Sequence, residues 1–120
     1  MAFCVRLKEP LNAEVNVQEF IQVCAFSTTA TDKNTKVLVA LGNRAQVDDI
    51  DFVFSDGTPI EFNEAGVHVF EPVILNTCAN IMGIFKKTGE YVFNVALLEQ
   101  NTNELLDIET ATVKVFKKKS

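Results

Sequence analysis

The chain has 120 residues, 48% of them hydrophobic and 22% charged, with 16 acids against 11 bases and a net charge of −5. That is the make-up of one globular domain, able to bury a core without disulfides or metals and too short for a TIM barrel or a two-domain dehydrogenase. The negative balance argues against direct nucleic-acid binding by the surface as a whole, and no apolar run approaches the roughly 18–20 residues a membrane-spanning helix needs.

Phe3 to Lys8 alternates, with Phe3, Val5 and Leu7 on one face and Cys4, Arg6 and Lys8 on the other. This is a half-buried strand, ended by Pro10. Asn16 to Phe26 reads two ways. Val17, Phe20, Ile21 and Cys24 recur at helical spacing, and Asn16 with Glu19 fits a capping box. The run Ser27-Thr-Thr29, and the alternation of Phe20, Gln22 and Cys24 against Ile21, Val23 and Ala25, favour a strand from about Glu19 to Thr28.

Lys36 to Gly42 is a continuous apolar run, the pattern of a central strand covered on both faces. Ile50, Phe52 and Phe54 alternate with Asp51, Val53 and Ser55, and Asp56-Gly57 then marks a hairpin leading to Ile60 and Phe62. Gly66 opens a short strand with Val67 and Val69 facing one way, His68 and Phe70 the other; Pro72 to Thr77 reads as loop or irregular edge. Asn80 to Phe85 is apolar and runs into the turn Lys86-Lys-Thr-Gly89. Glu90 to Leu98 is the strongest strand signal, with Tyr91, Phe93, Val95 and Leu97 sharing a face. Leu105–Ile108 and Ala111–Phe116 close the chain as two short strands or one bent one.

Short strands separated by frequent turns predict an all-β, antiparallel two-sheet sandwich spanning residues 1–120 as one domain. If residues 16–26 were helical, the fold would be α+β. The stretch Thr88-Gly-Glu-Tyr-Val-Phe-Asn-Val95 resembles the late Gly-x-Tyr-x-Phe-x-Val strand of immunoglobulin-like sandwich domains, and the last 70 or so residues resemble small β-sandwich proteins of prokaryotes or phages. The resemblance implies a fold and no activity, and it gives Tyr91 a tyrosine-corner hydrogen bond. The core Trp and paired cysteines of antibody domains are missing from the pattern.

The three cysteines, Cys4, Cys24 and Cys78, are odd in number and widely spaced. They read as free buried thiols, with a Cys4–Cys24 bridge open if their strands pair. The absence of a basic-then-apolar leader and of any Asn-x-Ser/Thr sequon makes a soluble cytoplasmic protein the expectation.

Catalysis is hard to assemble from these residues. His68, the one histidine, lies on a strand and reads as a solvent or interface residue, and no nucleophile elbow, P-loop or dinucleotide-binding motif is present. A non-enzyme without a cofactor is expected. The main hint is charge. From Ala45 to Phe85 there are seven acids (Asp48, Asp49, Asp51, Asp56, Glu61, Glu64, Glu71) and no Lys or Arg, while the chain ends in Lys117-Lys-Lys119. Asp48, Asp49, Asp51 and Asp56 are the candidate electrostatic surface for a basic protein partner. The bland alternative is a solvated face that blunts edge strands, with a merely solubilising tail.

Asp48 and Asp56 would lie about 20 Å apart along one strand, so a calcium site could use only Asp48, Asp49 and Asp51. Phe70, Phe116 and Val53 fall on nominally outer strand faces and suggest an apolar interface, such as a homo-oligomer contact. The function expected is a non-catalytic protein–protein interaction module acting through a strand edge, a sheet face or the acidic surface. The alternatives are a calcium-binding sandwich module, or a phage or mobile-element inhibitor of a basic nucleic-acid-binding enzyme.

Overall fold

Alternation of apolar and polar side chains is resolved into paired strands in the computed structural model, which describes residues 3–8, 12–28, 34–73 and 75–117. The strands are β1 (Phe3–Lys8), β2 (Asn12–Glu14), β3 (Glu19–Ser27), β4 (Thr35–Leu41), β5 (Ile50–Phe54), β6 (Pro59–Ile60), β7 (Val67–Val73), β8 (Thr77–Phe85), β9 (Gly89–Glu99) and β10 (Leu105–Phe116). A 3-10 turn spans Arg44–Asp49, and the Asn43 side chain accepts from the Ala45 N–H at its start, 3.1 Å. One sheet runs β1-β3-β8-β5-β6 and the other β2-β10-β9-β4-β7.

Their inward faces share one core. The first sheet contributes Val5, Ile21, Val23, Phe52, Ile81 and Phe85, and the second Val37, Val39, Tyr91, Phe93, Val95, Leu97 and Val113. Each fully buried large side chain contributes about 1.5–3 kcal/mol of hydrophobic stabilisation. Gly83 makes room for one of them. It lies opposite Phe52 in the β8–β5 register, and a Cβ there would sit 2.7 Å from the Phe52 ring. That ring is packed in turn against Phe62, Phe85 and Phe93.

The strand reading of Glu19–Thr28 holds, with β3 at Glu19–Ser27 paired to β1 and β8. The helical alternative fails because alternation buries Ile21, Val23 and Ala25 together. Asn16 is no helix cap: it takes φ 62° in a turn, and its N–H donates to the Phe85 carbonyl. β4 is central, with one face buried and the other half-buried. The sandwich is mixed, not purely antiparallel, because β2 pairs with β10 in parallel. β7 continues through Pro72 to Val73, where a loop was expected. A proline is tolerated there because β7 is the edge of its sheet. β10 is a single strand with an irregularity between Leu105 and Asp107. Phe70, expected on an outer face, turns inward against Phe54 and the core.

Two contacts tie the ends of the sandwich together. The Tyr91 hydroxyl donates to the Lys87 carbonyl, 2.7 Å, as the immunoglobulin-like resemblance implied. Asp107 on β10 accepts the Val5 N–H of edge strand β1, 2.8 Å, which clasps one sheet to the other.

The cysteine expectation is corrected. Cys24 and Cys78 face each other across β3 and β8 and form a disulfide, while Cys4 is free and half-buried. Register decides the pairing: Cys4 lies opposite Phe26, not Cys24, so the first two cysteines cannot bridge.

Candidate partner-binding face

The face of the first sheet that looks away from the core carries a transverse apolar row. In the register, Phe20 on β3 lies opposite Met82 on β8, Met82 opposite Val53 on β5, and Val53 opposite Pro59 on β6. Their strand neighbours Ile21, Ile81, Phe52 and Ile60 are buried, so alternation turns the row outward. Phe20 is 54% exposed, Pro59 is exposed, and Met82 and Val53 are half-buried.

Polar groups border this row. On one side Gln22 donates to Asn80 across the strands, 2.9 Å, followed by the Cys24–Cys78 bridge. On the other side Asp51 stands opposite Ile84 and is exposed. At the β5–β6 edge a shallow depression of about 350 Å³ is lined by Asp48, Asp51 and Glu61, together with Pro59 at the end of the row.

The four candidate aspartates therefore part company. Asp48 and Asp51 share this depression. Asp49 is half-buried and pairs with Lys87, 3.4 Å, while its carbonyl accepts the Lys86 N–H. Asp56 sits beyond the far end of β5, about 17 Å along a five-residue strand. Its carboxylate accepts the Thr58 N–H, 2.9 Å, and that bond, with a second from the Thr58 side chain, holds its pKa below the usual value. It shapes the hairpin. Glu61 was not among the four, and only the return of β6 beside β5 brings it to Asp48 and Asp51.

Among the described residues, no three His, Cys, Asp or Glu side chains gather closely enough to hold a metal ion, so the calcium alternative has no cluster to rest on. His68 is half-buried. Its Nδ1–H donates to the Glu61 carbonyl, 2.8 Å, and its ring packs between Phe62 and Phe70. His68 and Cys78 both line a cleft between the two sheets, but Cys78 is tied up in the disulfide. Phe116, 49% exposed, lies on β10 of the other sheet and is no part of the row. Lys118 and Lys119 of the basic tail lie outside the described residues. Among the described residues, no helix is long and apolar enough to cross a membrane.

No protein-family model matches the sequence, and none of the curated proteins does. Solved structures do match its fold. A cohesin module from a Clostridium perfringens family 33 glycoside hydrolase is similar over 98% of both chains, with a TM-score of 0.61 and 9% identity. The CARDB domain of a Pyrococcus furiosus protein, in complex with di-metal ions, is similar over 95% of this chain and 87% of its own, with a TM-score of 0.55 and 20% identity. Both are β-sandwich domains, and at these identities the likeness is one of fold.

Proposed function

We propose that the protein is a non-catalytic interaction module that docks a protein partner on the outer face of its first sheet. The observation carrying this reading is the in-register row Phe20–Met82–Val53–Pro59 ending at the carboxylates of Asp48, Asp51 and Glu61. Such a surface suits a partner with an apolar patch beside a Lys or Arg. The apolar row supplies the burial, and the carboxylates set orientation and association rate. A basic nucleic-acid-binding enzyme is one class that meets this description. The fold also recurs as a module of larger proteins, one of them a glycoside hydrolase.

The Cys24–Cys78 bridge supports an oxidising working environment over the cytoplasm, because reducing compartments keep such thiols apart. The test is affinity capture from native lysate at low and moderate salt, with Phe20→Asp and the double variant Asp48→Lys/Asp51→Lys as controls. A partner lost with Phe20→Asp, and held by the double variant only weakly and without salt dependence, bears the reading out. A partner retained by both variants refutes it.

A further inference from the structure

β8 is longer than the strand that covers its second edge. It pairs with β3 from Thr77 to Gly83, but with β5 only from Ile81 to Phe85, because β5 ends at Phe54 and turns into the hairpin. The last bond on that side is the Ser55 N–H donating to the Asn80 carbonyl, 3.2 Å. The N–H and C=O of one strand residue point to the same side, and successive residues alternate. Asn80 faces β5, so Cys78 faces the same way, past the end of β5, where no described strand lies.

Across this gap runs β7, an edge strand of the other sheet. Between them opens a cleft of about 480 Å³, floored by Val23, Val37, Phe54 and Phe70, with His68 and Glu71 on its walls. The His68 Nδ1–H donates to the Glu61 carbonyl, 2.8 Å, which holds the ring in the cleft wall. Among the lining residues Glu71 carries the charge.

We propose that this cleft seats an extended, basic peptide segment of a partner protein, which adds as a strand beside Cys78 and buries apolar side chains against Phe54 and Phe70. Three features meet the needs of strand addition. The backbone groups of Cys78 offer main-chain hydrogen bonds. The apolar floor receives alternate side chains of the incoming strand. Glu71 on the cleft wall matches a Lys or Arg of the incoming strand. The cleft is a different surface from the Phe20 row and stands independently of that reading.

The probe is an eight-residue peptide alternating valine and lysine, titrated into the oxidised full chain and followed by NMR with amide hydrogen exchange. Saturable binding with slowed exchange at the Cys78 amide is expected. Glu71→Lys, an exposed site that leaves the core intact, weakens binding roughly three- to tenfold, the scale of reversing an exposed charge pair. A valine–glutamate peptide binds more weakly than the lysine form by at least that factor. A lysine peptide N-methylated along one edge does not bind, and Phe20→Asp leaves binding unchanged. The proposal is overturned if the valine–lysine peptide shows no saturable binding up to its solubility limit. It is equally overturned if the glutamate peptide binds as well, or if protection falls around Met82 and disappears in Phe20→Asp, which would assign the peptide to the sheet face.

Discussion

Reducing the Cys24–Cys78 bridge should cost the domain a large part of its stability. The two cysteines are 54 residues apart in sequence, so the bridge removes a long loop's freedom from the unfolded chain. The loop-closure relation puts that constraint at about 4 kcal/mol at 25 °C. A domain of this size holds about 5–15 kcal/mol in all, so the reduced protein retains a fraction of its stability or unfolds. The transition temperature should fall by roughly 10–20 °C. The assay is urea unfolding of the same preparation with and without reductant, with alkylation under denaturing conditions to count thiols. The oxidised protein should alkylate at Cys4 alone, and the reduced protein at all three cysteines. Urea midpoints that coincide to within about 0.5 kcal/mol of stability would refute the reasoning, and three reactive thiols in protein purified under oxidising conditions would remove its premise.

Three further outcomes follow from the packing. Gly83→Ala forces a methyl against the Phe52 ring, an overpacking cost of about 1–3 kcal/mol, partly offset by about 0.5–1 kcal/mol from replacing a strand glycine. Net destabilisation is expected in chemical denaturation, relieved in Gly83→Ala/Phe52→Leu; a stabilised single variant would contradict the packing. Asp107→Ala leaves the Val5 N–H without its acceptor and should cost about 1–3 kcal/mol, with faster exchange at that amide as the local readout. Tyr91 is the sole tyrosine in a chain without tryptophan, so its ionisation can be followed cleanly by ultraviolet absorbance. Burial first, then the charge of Asp49, raises its pKa above the usual value of 10.0. The phenol form is therefore favoured in the fold. Its stabilisation is complete below the unfolded value and lost as pH rises through the raised one. A midpoint at or below the usual value would show that the ring is not held as described.

Much of the strand pattern was legible because period-two alternation is local. The run Tyr91, Phe93, Val95 and Leu97 announces its own buried face, and Asp56-Gly57 announces its own turn. What escaped depends on which strands become neighbours. Phe70 looked outward only for want of knowing which side of β7 faces Phe54. The disulfide needs Cys24 and Cys78 in register on strands separated by 54 residues of chain. The candidate face was half visible: the acidic stretch could be read directly, but Phe20, Met82, Val53 and Pro59 form a row only through three separate pairings. Asp49 and Asp56 carry the same charge as Asp51, and only their partners, Lys87 and Thr58, show that they serve the fold.

The parallel pairing of β2 with β10 has a mechanical consequence. Asn12, Ala13 and Glu14 lie beside Lys114, Val115 and Phe116, and the Val15 N–H extends the ladder to the Phe116 carbonyl. Because the two strands run the same way, tension that reaches β2 at Asn12 and β10 at Phe116 pulls them past each other lengthwise. The hydrogen bonds then share the load in shear and do not open one by one from an end. Carried between other domains or between two tethered partners, this sandwich would resist extension at the place where its second and last strands meet.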